Sequence, residues 1–430
     1  MTKTNKAIEL VKTALIILLA ASALALAWKT ELFSDVIGAL PFFGSVADLM
    51  RGGTGTAETG GSEQKEAVRP LSIVITDREG KRYGVKYETD VRNAVYDRTG
   101  SIVGEALGSA SAPTKINENE WREALSGPGV YFEYLNPVKL SVIGKWLGAR
   151  MPDTAQDILL RSVYVAFGED KSRVYYQDVE SGSFFGADTA SASGKVQELE
   201  IYSANGALFA FETDIRAAEN APYMLIMPDS AHADVSAGAA GSTEELLDIV
   251  LAALGHEDET YTRYYVSEGV LVYVGTQFNV RADKNGGVHY RRTDGLPSGD
   301  SEEVPDMNEA IELARVVAAD TIGKTCGDAE VFFESLEYGA GGSSTVLFGY
   351  YIAGGRIVLR GDVCAGLIRL SYGTVAEIEL IFRNYLLTDE LTRLLPERQA
   401  FAAAGREFLL SYADTGQETL QPSWVRLGKS

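Results

Sequence analysis

The sequence predicts an α+β protein with a single N-terminal transmembrane helix, followed by exported domains of antiparallel sheets with helices on one face. One observation is the apolar run from Leu10 to Trp28. Another is the pattern beyond residue 240, where a helical segment followed by several short alternating strands occurs twice. Because a helix beside an antiparallel meander covers one side of the sheet, the repeated pattern predicts helices on a single face.

The run from Leu10 to Trp28 has the length of a membrane-spanning helix. Its 19 residues would extend roughly 28 Å at about 1.5 Å per residue, close to a hydrocarbon thickness of about 30 Å. Lys3, Lys6 and Lys12 lie at its N-terminal end, and positive residues favour the cytoplasmic side. We therefore expect a cytoplasmic tail over residues 1–9, a single-pass helix over 10–28 and an extracytoplasmic main body.

A cleaved secretory signal peptide is the alternative for this stretch. Two overlapping small-x-small triplets lie between Ala23 and Ala27, and such triplets precede signal-peptide cleavage sites. The length of the apolar run and the large Trp28 that follows the triplets favour an uncleaved anchor. Both alternatives place the main body outside the cytoplasm.

The overall charge of the chain disfavours two classes of partner. There are 60 acidic and 39 basic residues, which give a net charge of −21. An excess of negative charge repels nucleic acid and anionic lipid headgroups alike. We therefore expect no nucleic-acid binding, and contact with the membrane only through the one helix.

Beyond the membrane helix, composition predicts a linker and three folded regions. Arg51–Arg69 is rich in glycine, threonine and glutamate and has little to bury, which is typical of a flexible linker. The small polar residues of Ser230–Gly241 predict a domain boundary. The predicted regions are a juxtamembrane segment and linker over 29–69, an N-terminal α+β domain over 70–235, a central helix-plus-meander domain over 240–300, and a C-terminal α+β domain over 301–430.

Local patterns predict several individual elements. Asn205-Gly206 is a strong hairpin turn between two strand patterns. Ser242 and Glu245 have the spacing of a capping box before an apolar helical pattern. The predicted strands of the hairpin are Gln197–Tyr202 and Ala207–Glu212, and the predicted helices include Thr243–Leu254, a helix from Pro305 to Ile322, and Asp389–Ala404.

No pattern in the sequence predicts a catalytic residue, a cofactor site or a metal site. The three histidines, His232, His256 and His289, are scattered along the chain. Gly339–Ser344 is rich in glycine but lacks the Lys-Ser/Thr and the helix of a phosphate-binding loop, so we expect a hairpin loop. Asp283–Gly286 lacks the terminal glutamate of a calcium loop, so we expect a β-turn. The sequence therefore favours a protein without enzymatic activity.

Cys326 and Cys364 are the two cysteines of the chain. In an exported protein they could form one disulfide, provided that the elements on which they lie pack together. Two buried or free thiols are the alternative. The sequence leaves both possibilities open.

Several runs in the exported part share a strand, proline and meander layout with one known family. PGVYFEYLNPVKLSVIGKWL (Pro128–Leu147), ILLRSVYVAFGEDKSRVYYQD (Ile158–Asp178) and the meander Arg263–Tyr290 resemble passages of the YycH family. Leu347–Gly361 and Gln421–Leu427 resemble the C-terminal domain shared by YycI proteins and PepSY-like folds. YycH proteins are membrane-anchored regulators of a sensor histidine kinase in Gram-positive bacteria.

The resemblance implies a regulatory function rather than catalysis. The expected partners are a sensor histidine kinase of the WalK/YycG type, which controls cell-wall metabolism, and a YycI-like membrane protein. No catalytic residue, cofactor or metal ligand is carried over from the family. The rival hypothesis is a secreted PepSY-type binding or inhibitory module that acts on an exported protease or on wall fragments, and a cleaved N-terminus would favour it.

The membrane helix itself is a candidate contact with the kinase. Ala21 and Ala25 form one small-xxx-small pair, and Ala23 and Ala27 form another. Small residues at this spacing let two membrane helices approach closely. The alternative is that these alanines simply fill an average signal anchor.

Overall fold

The secondary structure of the computed structural model is described for residues 69–150, 158–168, 171–190, 199–228, 231–267, 269–293, 307–339 and 342–427. The predicted transmembrane helix over 10–28 and nearly all of the predicted linker lie outside these residues. Within the described ranges, no helix is long and apolar enough to cross a membrane.

The described residues form helices and many short strands. The helices are α1 (Thr89–Gly108), α2 (Glu118–Ser126), α3 (Leu140–Trp146), α4 (Thr243–Ala253), α5 (Met307–Ala318, continued by a π turn over Ala319–Gly323) and α6 (Glu397–Ala404), with 3₁₀ turns at Ala210–Glu212 and Arg216–Glu219. The strands are β1 (Ser72–Thr76), β2 (Arg82–Val85), β3 (Thr114–Ile116), β4 (Gly129–Lys139), β5 (Leu159–Phe167), β6 (Ser172–Gln177), β7 (Phe184–Thr189), β8 (Leu208–Phe209), β9 (Leu225–Ile226), β10 (Ala231–Gly238), β11 (Thr262–Ser267), β12 (Val270–Val274), β13 (Phe278–Asp283), β14 (Gly287–Arg292), β15 (Glu330–Tyr338), β16 (Ser343–Ile352), β17 (Gly355–Leu359), β18 (Gly366–Ser371), β19 (Thr374–Ile381), β20 (Asn384–Arg393), β21 (Phe408–Asp414), β22 (Thr419–Leu420) and β23 (Pro422–Arg426).

The predicted α+β class with antiparallel sheets is confirmed. An N-terminal sheet has the strand order β2-β1-β4-β5-β6-β7-β3. A large sheet has the order β11-β12-β13-β14-β19-β18-β16-β17-β21-β23, with β15 also paired to β16. Smaller sheets are β20-β10-β22 and β8-β9. Strands β17 and β21 pair in parallel, whereas the neighbouring pairs β16–β17 and β21–β23 are antiparallel.

The N-terminal sheet differs from the prediction because both of its faces are covered. Tyr131 belongs to a core cluster on one face that includes Trp121 of α2. Phe132, the next residue of β4, points to the opposite face, where its ring lies 5.7 Å from that of Tyr96 of α1. Strands with consecutive apolar residues are typical of sheets that are buried on both sides.

Helix α1 fills a part of the chain for which the sequence predicts no element. Its glycines lower helix propensity and obscure the helical pattern. Gly104 nevertheless has a packing role, because a Cβ at this position would collide with the carbonyl oxygen of Leu147 at the end of α3. The close approach of α1 and α3 therefore accounts for Gly104. This glycine is also one of those that make the helix hard to predict from sequence.

Helices α4 and α5 cover one face of the large sheet, as the repeated helix-and-meander pattern predicts for this part of the chain. Its inner face is a row of buried cross-strand neighbours that includes Leu271, Ala282, Val288 and Leu380. Helix α4 contacts β12, β13 and β14, and α5 contacts β15, β16 and β18. Over β12, β13, β14 and β19, side chains on the opposite face are exposed or half-buried, and we call this part of the sheet the open face. At β15, β16 and β21 the opposite face is buried, where Phe332, Tyr351 and Leu409 pack with Leu71 and Leu135.

The large sheet joins regions that the sequence divides. Strand β14, in the predicted central domain, pairs with β19 of the predicted C-terminal domain, with His289 opposite Glu379. Strand β10 occupies the predicted boundary segment Ser230–Gly241 and pairs with β20. A composition rich in small polar residues is thus compatible with a strand here, because the partner strand supplies the ladder hydrogen bonds.

Two element predictions are wrong. The predicted helix Asp389–Ala404 is strand β20 up to Arg393, and α6 begins only at Glu397, because pairing along β10 outweighs local helix propensity. The predicted hairpin around Asn205-Gly206 does not form. The side chain of Asn205 instead accepts from the amide of Gly84 (3.0 Å) and donates to its carbonyl (2.7 Å), and β8 pairs with β9.

The capping box of α4 is confirmed. The amide of Glu245 donates to Ser242 Oγ at 3.3 Å, and the amide of Ser242 donates to Glu245 Oε2 at 2.7 Å. These two bonds satisfy donors at the helix start that otherwise have no intrahelical partner. Helix α4 is thereby fixed where it covers the buried face of β12–β14.

Candidate functional site

The residues singled out in the sequence do not converge on one site. Ala21, Ala23, Ala25 and Ala27 lie outside the described residues, so their role in helix packing stays a prediction. Strands β15 and β16 pair antiparallel with Tyr338 opposite Ser344, as expected for a hairpin at Gly339–Ser344. In the predicted β-turn, Asp283 Oδ1 accepts from the amides of Asn285 (2.7 Å) and Gly287 (3.2 Å) between β13 and β14.

The two cysteines are free thiols in this structure. Cys326 is buried, and its Sγ donates to the carbonyl oxygens of Ala329 (2.9 Å) and Gly323 (3.2 Å). Cys364 is half-buried in the connection between β17 and β18, and burial raises the pKa of its thiol. The disulfide that the sequence allows is not formed here.

Both ring nitrogens of His256 have hydrogen-bond partners. Its Nδ1 lies 2.8 Å from Glu259 Oε1, and its Nε2 lies 3.0 Å from the hydroxyl of Tyr290 on β14. The side chain therefore ties the segment after α4 to the large sheet. This environment gives His256 a structural role.

His289 lies on the open face of the large sheet together with two glutamates. Its cross-strand neighbour on β19 is Glu379, and Glu377 lies two residues away on the same side of that strand. His289 Nε2 is 3.0 Å from Glu377 Oε1. One nitrogen or oxygen from each of the three side chains falls within 4.8 Å of the others.

Glu377 is held in its charged form. Burial alone would raise its pKa, but the hydrogen bond from His289 and the positive charges of Arg369 and Arg291 outweigh burial and lower the pKa. Arg369 Nη1 bonds to Glu377 Oε2, the oxygen that does not face His289. The carboxylate thus has one oxygen occupied by an arginine and the other directed at an imidazole.

A cavity of about 670 Å³ opens beside this group. His289, Glu379 and Cys364 line it, together with Arg281 and Asp283 of β13. Its walls combine charged side chains with apolar ones such as Leu367. The arrangement offers polar ligand atoms at the edge of a space that water or a small ligand can enter.

The sequence carried only a weak signal for this group. The alternation in Glu377-Ile378-Glu379 places both carboxylates on one side of a strand. His289 is far away in the chain and reaches them only because β19 pairs with β14 after four intervening strands. Such non-local pairing cannot be inferred from one local pattern.

The edge strand β11 is a second candidate site, suited to binding a protein. All six of its residues are exposed, and it ends the strand order of the large sheet. Tyr264, Tyr265 and Val266 expose 48%, 63% and 63% of their surface. Edge strands present unpaired backbone groups, and proteins usually protect them with charges. In β11 the single charged residue, Arg263, is paired with Glu244 at 3.4 Å.

No family model matches the chain, and no curated protein matches its sequence. Among solved structures, the crystal structure of YycH from Bacillus subtilis is similar over 85% of this chain and 95% of that chain. The TM-score is 0.55 and the sequence identity is 12%. The chain has a YycH-like fold.

The fold resemblance implied by the sequence is therefore confirmed across most of the chain. The more specific resemblance of the C-terminal region to YycI and PepSY-like domains stays a prediction. An uncharacterized protein from Eubacterium rectale is similar over 45% of this chain and 76% of its own, with 12% identity and a TM-score of 0.29. A similarity of that extent carries no argument about the YycH-like fold or its function.

Proposed function

We propose that the chain is a membrane-anchored extracytoplasmic regulator of a WalK/YycG-type sensor histidine kinase and acts with a YycI-like partner. The observation that supports this function is the YycH-like fold, which extends over 85% of the chain. Such a regulator requires a membrane anchor, and Leu10–Trp28 is the predicted anchor of this chain. In this proposal the protein works by contact, through its exported body and its membrane helix.

Strand β11 is the surface on the exported body that we assign to the YycI-like partner. An extended strand of the partner would pair with the free edge of β11, and the exposed tyrosines would contact its side chains. Strand β20 is also an edge strand with exposed leucines, such as Leu391. It carries Asp389, Glu390 and Arg393, the type of charges that protect an edge from pairing.

Substitution of Tyr265 with lysine is expected to reduce co-purification of the YycI-like partner by at least about tenfold. A charge on an edge strand disfavours strand addition, and loss of one buried aromatic contact removes about 2 kcal/mol or more of binding energy at an interface. The measurement is affinity capture of the full chain from detergent-solubilised membranes, with the partner quantified by mass spectrometry.

Leu391→Lys is the matched control for this experiment. Leu391 exposes 64% of its surface, against 63% for Tyr265, and it also lies on an edge strand. The same change should leave capture unchanged there. Equal capture by wild type and Tyr265→Lys, or a loss confined to Leu391→Lys, would show that β11 is not the docking strand.

The membrane helix provides a second prediction. In a helix, positions 21 and 23 point about 200° apart, so the pairs Ala21/Ala25 and Ala23/Ala27 would lie on nearly opposite faces. Isoleucine at both residues of the pair that contacts the kinase should separate the helices and change kinase output. Isoleucine at the other pair should have little effect. The measurement is phosphorylation of the response regulator in cells, together with co-purification of the kinase.

If both double variants behave as wild type in both measurements, the helix-packing hypothesis is wrong. Detection of the intact N-terminus in membranes by mass spectrometry separates the anchored regulator from the secreted PepSY-type alternative. A processed N-terminus that begins near Trp28 would contradict the anchored form of the proposal.

A further inference from the structure

We propose that His289, Glu377 and Glu379 form a divalent-cation site on the open face of the large sheet, and that this site takes zinc. The three side chains come from two hydrogen-bonded strands, so a rigid scaffold sets their spacing. No local motif connects them. The site would link the central and C-terminal parts of the sheet.

The spacing of the ligand atoms fits a zinc ion with little rearrangement. Two ligands about 2.1 Å from a tetrahedral zinc lie about 3.4 Å from each other. His289 Nε2 and Glu377 Oε1 are 3.0 Å apart. The third ligand atom, from Glu379, lies within 4.8 Å of both. Because Glu379 is exposed on its strand, its side chain has room to close the remaining distance.

Arg369 supplies the outer contact that a carboxylate ligand usually has. It bonds to Glu377 Oε2 and leaves Oε1 directed at His289. Outer contacts of this kind orient the ligand oxygen and are common around protein-bound metals. Zinc would lie between His289 Nε2 and Glu377 Oε1, without disturbing the bond to Arg369.

The surroundings favour zinc over magnesium or calcium. Magnesium and calcium prefer six or more oxygen ligands, whereas zinc accepts one imidazole and two carboxylates with a water in the fourth position. The cavity beside His289 and Glu379 has space for that water. Arg281 and Arg291 are exposed nearby on the same face. Their positive charge would repel a loosely held cation. A cation at this site therefore needs short coordination bonds.

The test is titration of the purified full chain with Zn²⁺ after removal of metal by a chelator. We expect one Zn²⁺ per chain and no comparable binding of Mg²⁺. Because even outer-shell substitutions weaken metal sites by about 10–100-fold, loss of a ligand in His289→Gln or Glu379→Gln should weaken binding by at least about 100-fold. Co²⁺ in place of Zn²⁺ should give visible absorption bands that both variants lose.

Two control variants distinguish a defined site from general binding of Zn²⁺ to this acidic chain. His256→Gln removes another histidine that is bonded to a glutamate, at 2.8 Å, and Glu390→Gln removes one exposed negative charge. Both should bind Zn²⁺ as wild type does. Circular dichroism verifies folding, and the exposed Glu379 is the variant least able to disturb it. The proposal is overturned if wild type binds no Zn²⁺, if the ligand variants bind it equally well, or if the controls lose as much affinity as the ligand variants.

Discussion

Substitution of Arg92 with alanine is expected to lower the free energy of unfolding by about 3–5 kcal/mol, the usual cost of breaking a buried ion pair. Arg92 lies on α1 and Glu330 on β15, and their side chains are 1% and 8% exposed. Arg92 Nη2 lies 2.5 Å from both carboxylate oxygens. Without the arginine, the Glu330 carboxylate would remain buried without this ionic partner.

The double variant Arg92→Met and Glu330→Leu is the control. It removes both charges and fills the space with apolar side chains, so its stability should return to within about 1–2 kcal/mol of wild type. The Arg92 guanidinium lies 5.6 Å from the centre of the Phe332 ring, a contact that methionine can replace. The measurement is guanidinium unfolding followed by tryptophan fluorescence. Loss of less than about 1 kcal/mol in Arg92→Ala would contradict this account of the pair.

The position of this ion pair explains its importance. It connects helix α1, on one face of the N-terminal sheet, to strand β15 of the large sheet. Other contacts also join the N-terminal sheet and its helices to the large sheet and its helices. Trp146 Nε1 donates to Glu312 on α5 at 2.7 Å, and Arg161 Nη1 lies 2.9 Å from Glu407. A variant that breaks the Arg92–Glu330 pair therefore weakens a junction between sheets as well as a local contact.

Local sequence patterns predicted the elements that local chemistry determines. Ser242 and Glu245 form their capping box because both bonds lie within one helical turn. The turn at Asp283–Gly286 forms because the aspartate bonds to the backbone two and four residues later. In such cases a few neighbouring residues contain all the interactions that define the structure.

Predictions were wrong where a distant partner determines the conformation. The residues of Asp389–Arg393 are compatible with a helix, but the segment pairs with β10 as part of strand β20. Asn205-Gly206 is a typical hairpin-turn sequence. The side-chain amide of Asn205 instead makes two hydrogen bonds to the backbone of Gly84. The cluster around His289 depends in the same way on the pairing of β14 with β19. Single-sequence patterns contain no information about these long-range pairings.

Substitution of Glu397 with alanine is the second change with a large expected effect, a loss of about 3–5 kcal/mol in the free energy of unfolding. Glu397 is fully buried at the start of α6. It accepts hydrogen bonds from the Tyr87 hydroxyl and, at 2.8 Å, from the amide of Met227, and it lies 3.9 Å from Lys86 Nζ. Alanine would leave an ammonium and two donors buried without this acceptor.

Glu397→Gln removes the charge but keeps one acceptor oxygen for the Met227 amide, while its new amide group can donate to the Tyr87 hydroxyl. Burial raises the pKa of Glu397 more than Lys86 and the hydrogen bonds lower it. A carboxyl whose pKa is raised on folding contributes its full stability below the unfolded pKa of about 4.3 and loses it as pH rises through the folded pKa. The stability of wild type relative to Glu397→Gln should therefore fall as pH increases from about 4 to 7.

Unfolding of both proteins by guanidinium across this pH range is the measurement. A difference that stays constant, or that grows in favour of wild type as pH rises, would show that the charged carboxylate is better satisfied in the folded state than burial implies. The expected slope has a structural consequence. Glu397 would then hold α6 against the Lys86–Tyr87 segment chiefly through directional hydrogen bonds, because burial disfavours its charged form.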